Sequence, residues 1–205
     1  MQFLLSLCSA HPAVAAGGVS LLAALLLVAT QGWHGRLTLD STLGVQKFHT
    51  GPTARVGGVA IAAGLAAGYL FAGPGRRALL GPLMAAGIPA LAFGLLEDIT
   101  KSVSVRSRLL ATMGCGVLGW AMTGCSIIDA NVPGLDWLLG FTAISVAFTA
   151  FAVGGVANAI NIVDGFNGLA AGTLLIILTA FGIMATALGD PGLARVSLIL
   201  AGAVA

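Results

Sequence analysis

Four polar residues at three-residue spacing, Asn158, Asn161, Asp164 and Asn167, stand in a chain otherwise built from apolar side chains. Amides and carboxylates at membrane depth are costly and need partners. On a helix this spacing would line one face with oxygen-bearing groups. Gly165 and Gly168 would interrupt that helix and let the backbone approach a ligand. An amide row also serves as glue between helices. Asp164 argues for more, because a buried acid must be paired, protonated or metal-bound.

A second group lies in GLLEDITKSVSVRSRLL, where Glu97 and Asp98 are adjacent. Carboxylates can hold Mg²⁺, which takes oxygen ligands and shares them with phosphate, and one could act as a base. The structural alternative is specific: Glu97 and Lys101 have the i, i+4 order that supports a helix end. Arg106 and Arg108 suit phosphate, or anchor a span on the positive-inside side. A third group is KFHTGPTARVGG, with Lys47, His49 and Arg55 next to Gly57 and Gly58. Basic groups beside a helix N-terminus make an anion site; the same loop could serve topology and touch lipid headgroups.

These residues must be positioned by membrane helices. The chain has 205 residues, 58% hydrophobic and 8% charged, whereas a soluble domain carries about a quarter charged residues. The fold class is therefore an all-α polytopic membrane protein. At about 20 apolar residues per crossing, six complete transmembrane helices are expected near 13–31, 56–73, 79–96, 109–128, 137–157 and 169–188. A seventh run starts near Val196 and stops at Ala205, too short to cross at ~1.5 Å per residue. It reads as a truncated seventh helix, so 1–205 is expected to be a single, C-terminally incomplete transmembrane domain. The start, MQFLLSLCSAHP, lacks a positive n-region, and no cleaved signal peptide is expected.

With the N-terminus outside, inner connections hold Arg36, Lys47, Arg55, Lys101, Arg106 and Arg108, and outer ones Arg76, Arg77 and Arg195. This excess of Lys and Arg favours the N-out orientation, with the Arg76-Arg77 pair dissenting. All three polar groups then face the cytoplasm, while the outer connections near 73–78, 129–136 and 189–195 are turn-like. A net charge of +2 gives no reason to expect nucleic acid. Cys8, Cys115 and Cys125 read as inert thiols; on one helix the last two would lie about 15 Å apart, too far for a disulfide. His11, His34, Trp33, Trp120 and Trp137 read as interfacial residues. Carboxylates for a divalent cation, basic groups for phosphate and amides for a polar head together suit phosphoryl chemistry on a lipid phosphate.

In order and in the number of spans between them, KFHTGPTARVGG, GLLEDITKSVSVRSRLL and NAINIVDGFNGLAAG resemble the motifs of the polyprenyl-phosphate N-acetylhexosamine-1-phosphate transferases, glycosyltransferase family 4. That resemblance covers essentially 1–205. It implies an integral membrane enzyme that moves a sugar phosphate from a UDP-sugar to undecaprenyl phosphate and releases UMP. It also implies roles: Asp98 and Glu97 catalytic, where the family normally carries two aspartates; Asp98 and Asp164 at the metal; Asn161 at the diphosphate and Asn167 at the nucleotide-sugar; Lys47, His49 and Arg55 at phosphate or headgroup. The implied cofactor is Mg²⁺, with Mn²⁺ as a substitute. Implied partners are the UDP-sugar, undecaprenyl phosphate and the bilayer, with a homodimer allowed and no nucleic acid. The implied location is a bacterial inner membrane. The first motif resembles the branch that primes O-antigen-type glycans for lipopolysaccharide or teichoic acid, more than the peptidoglycan branch. Family members carry further spans with a later acidic motif, so a non-catalytic remnant is the alternative for this chain. A transporter using Asp164 is a third reading. It would place polar groups at mid-bilayer in two related halves, whereas here they lie at span ends and no repeat is visible.

Overall fold

The computed structural model describes residues 11–33, 57–164 and 168–205. Regular structure among them is all α-helix: α1 Pro12–Ala29, α2 Gly57–Phe71, α3 Pro74–Ala86, α4 Ile88–Thr100, α5 Val105–Thr123, α6 Leu135–Leu139, α7 Thr142–Val163, α8 Leu169–Ala187 and α9 Pro191–Val204. The chain divides into two compact units, Met1–Gly81 with Val163–Ala205, and Pro82–Ile162.

The first unit is held by small residues. Helix α1 packs on α2, and α9 packs on α1, α2 and α8. A Cβ at Gly64 would lie 2.7 Å from the Ala16 carbonyl oxygen and 2.8 Å from Ser20 Cβ. At Gly68 it would lie 2.5 Å from Ile199 Cγ2, and at Gly202 it would run into the Ala13 carbonyl. Ala16, Ala203, Ile199 and Val196 are fully buried at this seam. In lipid, apolar area gives helices no drive to associate, so close backbone approach and interhelical hydrogen bonds supply the adhesion. Ser20 Oγ supplies one such bond, donating to Ala203 O at 2.7 Å in a buried position.

Arg77 has a local role here. Its Nε donates to Tyr69 O at 3.0 Å and its Nη2 to Leu70 O, and the guanidinium carbon lies 5.6 Å from the Tyr69 ring centroid. It thereby adds a donor to carbonyls in the last turn of α2, where Tyr69 O also accepts from the Ala72 N–H at 3.2 Å, and puts a cation at the negative end of that helix. Capping explains why an arginine stands where the loop-charge rule did not expect one. Arg77→Gln is expected to destabilise the protein by about 1 kcal/mol, read as a lower thermal midpoint in detergent.

In the second unit, α4 packs on α5 and α5 on α7. A Cβ at Gly116 would lie 2.7 Å from Ala150 Cα, and one at Gly154 would lie 2.5 Å from Met113 Cγ and 3.5 Å from Leu109 Cδ1.

Several expected spans change. Among the described residues three helices are long and apolar enough to cross a membrane: α1, α7 and α8. There are four if α3 and α4 form one span bent by 45°. The run at 79–96 is that bent pair, because Pro82 lies inside α3 and Pro89 in the first turn of α4, and proline removes a ladder donor. Helices α2 and α9 are apolar but shorter. Helix α5 starts at Val105, ahead of the expected 109, and carries Arg106 and Arg108 in its first turn. The run at 137–157 splits: its start belongs to the separate α6, and α7 continues to Val163. Asn158 and Asn161 are therefore in the helix rather than in a following loop, since Ala159, Ile160, Ile162 and Val163 sustain it.

Candidate active site

Helix α4 ends on the acidic pair. Lys101 is its C-cap, with φ of 53°, and the Lys101 N–H donates to Glu97 O at 2.8 Å. Thr100 Oγ1 closes the turn on Leu96 O at 2.6 Å, and Ser102 Oγ donates to Thr100 Oγ1 at 2.9 Å. Helix α5 opens after Ser104, whose side chain accepts from Ser107 N at 3.1 Å as an N-cap should.

The charges at these two ends run against the helix dipoles. Acids are favoured at helix N-termini and cations at C-termini, each by about 0.3–1 kcal/mol. Here Glu97 and Asp98 sit in the last turn of α4, and Arg106 and Arg108 in the first turn of α5. Lys101 offsets part of this. Oε2 of Glu97 is buried and has no hydrogen-bond partner among the described residues, so the i, i+4 pairing with Lys101 does not account for that oxygen. A buried carboxylate oxygen without a donor normally costs a few kcal/mol, which makes Glu97 a candidate site residue.

Helix α7 returns to the same end. It contacts α5 through Gly154 against Met113 and Leu109, and through Gly116 against Ala150, so the two helices run antiparallel. From Gly154 to Asn161 the helix advances about 10 Å at ~1.5 Å per residue. This carries Asn158 and Asn161 past Leu109 toward Arg108, Arg106 and the end of α4. Within the second unit, Glu97, Asp98, Lys101, Arg106, Arg108, Asn158 and Asn161 thus gather at one end. Asn158 is half-buried and Asn161 exposed. Residue type alone leaves Arg106 and Arg108 open between phosphate binding and anchoring a span. Their position against the α5 dipole is the signal that raises them.

Asp164 follows α7 in a turn and belongs to the first unit. The helical line of polar groups therefore ends at Asn161. Gly168, with φ of 78°, opens α8. Lys47, His49, Arg55 and Asn167 lie outside the described residues. Among the described residues no three His, Cys, Asp or Glu side chains form one group. The donor chemistry nevertheless fits a hard divalent cation. Mg²⁺ is commonly held by one or two carboxylates, with phosphates and water completing its shell, and Glu97 and Asp98 in the last turn of α4 are the carboxylates of this type at this end of the unit.

Fold and site together define a membrane-embedded protein whose carboxylates, amides and cations meet at helix ends, the inventory of phosphoryl transfer. The sequence model of glycosyl transferase family 4 matches residues 80–205, and the chain belongs to that family. It is 28% identical over 155 residues to a Bacillus subtilis protein named "Probable undecaprenyl-phosphate N-acetylglucosaminyl 1-phosphate transferase", covering 76% of this chain and 43% of that one. It is 29% identical over 119 residues to the phospho-N-acetylmuramoyl-pentapeptide-transferase of Clostridium perfringens strain 13, covering 54% of this chain and 38% of that one. A Synechococcus protein of the latter name is 32% identical over 203 residues, covering 90% of this chain and 56% of that one. The chain thus spans about half the length of the curated relatives it matches. No solved structure matches it.

Proposed function

We propose that this chain carries the acidic half of a sugar-1-phosphate transferase site. An oxygen of undecaprenyl phosphate attacks the sugar-linked phosphorus of a UDP-N-acetylhexosamine. A new P–O bond forms, the P–O bond to UMP breaks, and lipid-linked sugar diphosphate and UMP are the products. One observation carries the reading: Glu97 and Asp98, with a buried carboxylate oxygen lacking a donor among the described residues, stand at the end of the second unit where Asn161 and Arg106 also lie. Family membership supports it.

In this reading Asp98, with Glu97, orients the lipid phosphate and takes its proton. Asn161 donates to the diphosphate, and Asn167 contacts the nucleotide-sugar. Lys47, His49 and Arg55 hold phosphate. Asp98 and Asp164 would hold Mg²⁺ or Mn²⁺, which when bound neutralises diphosphate charge. The N-terminus lies outside and the site faces the cytoplasm of a bacterial inner membrane, with room for a homodimer. The product primes an O-antigen-like or lipopolysaccharide glycan.

The names of the Clostridium and Synechococcus relatives support a second reading, in which the donor is a UDP-N-acetylmuramoyl-pentapeptide. The two readings separate in one assay: UMP release from each donor, with undecaprenyl phosphate and Mg²⁺, by a form of the protein extending over the length of its relatives. UMP from UDP-N-acetylglucosamine alone is the expected result. UMP from the pentapeptide donor alone moves the protein to the second reading, and UMP from neither rejects both.

A further inference from the structure

We propose that the connection between α5 and α7, residues 124–141, seats in the headgroup–acyl boundary of the bilayer, with Trp137 and Phe141 as its anchor. This segment lies at the far end of α5 from the acidic pair, about 28 Å along the helix at ~1.5 Å per residue.

Its inner side is tied down at Ser126, Ile127, Ala130 and Leu139. Ser145 Oγ meets Ser126 Oγ at 2.6 Å and Ile127 O at 2.8 Å, and the Ile127 N–H donates to Thr149 Oγ1 at 2.8 Å. Ala130 N–H donates to Asp136 Oδ1 at 2.8 Å, and Leu139 is 1% exposed. The Ile127 N–H and carbonyl and the Ala130 N–H, in a stretch that is not helical, are thereby satisfied by side chains, as proximity to hydrocarbon requires of backbone polar groups.

Its outer side carries large apolar side chains beside the exposed Asp129 and Asn131, although it is not part of a span. Trp137 is 70% exposed, Ile128 67%, Phe141 52% and Val132 49%. The Trp137 and Phe141 rings meet edge to face, centroids 5.3 Å apart, so they project as one fixed unit. Such a group is unfavourable in water and suits the interface, where an indole has an apolar body and a polar N–H. Continuity decides for lipid as the occupant: Phe141 directly precedes α7, one of the helices able to cross a membrane. No Lys or Arg occurs from 124 to 163, and Asp129 and Asp136 are the only charges before α7. The segment therefore fits a zwitterionic headgroup layer, with apolar insertion rather than charge as the attraction.

The test uses the 205-residue chain in phosphatidylcholine vesicles, with Trp33→Phe and Trp120→Phe leaving Trp137 as the single indole. Interfacial elements bury their apolar face about 5–10 Å deep, so lipids brominated near the headgroup end of the acyl chain are expected to quench Trp137 at least about twofold more than lipids brominated near the terminal methyl. Quenching by aqueous acrylamide with neither brominated lipid effective overturns the proposal. So does shielding from all three quenchers, which would mean a protein contact such as a second copy. The difference in quenching between the native chain and Trp137→Phe gives the same readout if the double variant does not fold.

Discussion

Asp98→Asn is expected to lower UMP release by about two to four orders of magnitude, the usual worth of a positioned acid–base group. The substitution keeps the shape and the position in the last turn of α4 and removes only charge and basicity. The loss should fall on kcat with little change in donor KM, because the lipid phosphate needs its proton partner in the transition state rather than in the bound ground state. An equal loss from KM alone would turn Asp98 into a binding group. An unchanged rate would remove it from the site. Glu97 separates from it by length. Its Oε2 is buried without a donor among the described residues, so Glu97→Gln places a buried neutral amide there. Glu97→Asp preserves the charge and withdraws it by one methylene. The aspartate variant is expected to retain more activity than the glutamine variant. The reverse order would mean that side-chain length, not charge, is what the site uses.

Gly64→Val is expected to cost the first unit more than any other single substitution considered. The new Cβ would meet the Ala16 carbonyl oxygen at 2.7 Å and Ser20 Cβ at 2.8 Å. One of those neighbours is backbone and cannot rotate away, so α1 and α2 must separate. Overpacking of this kind costs about 1–3 kcal/mol, and the β-branched side chain pushes it to the upper end. The separation also strains the buried Ser20–Ala203 hydrogen bond and the contact of α9 with α1. Gly18 is the internal control, because a Cβ there meets nothing within 4 Å. Gly18→Ala is expected to be neutral or to stabilise by up to about 1 kcal/mol through helix propensity. Thermal unfolding followed by circular dichroism in one detergent compares the two. Equal midpoints for both variants would show that the glycine seam does not hold the unit together.

Much of the candidate site was legible without coordinates because its proposed chemistry is written in residue type. Glu97 beside Asp98, and asparagines in an apolar chain, are rare enough in a membrane helix to single themselves out. Their meeting was harder to read. The polar row was expected to begin after a span, yet Asn158 and Asn161 extend α7, because apolar residues between them keep the helix going. Arg77 shows the converse: its charge suggested topology, while Tyr69 O and Leu70 O show a cap.

The sequence by itself determined the class of the protein, its helical content and the order of its polar motifs, since hydropathy is a sum over neighbours along the chain. Tertiary structure decided where helices bend and end, and which of them touch. Those outcomes depend on single steric meetings between distant residues, such as Gly64 with Ala16 and Gly154 with Met113, which no local window contains. The antiparallel run of α5 and α7, fixed at such glycines, is what carries Asn161 to the end of the unit where Glu97 and Asp98 stand.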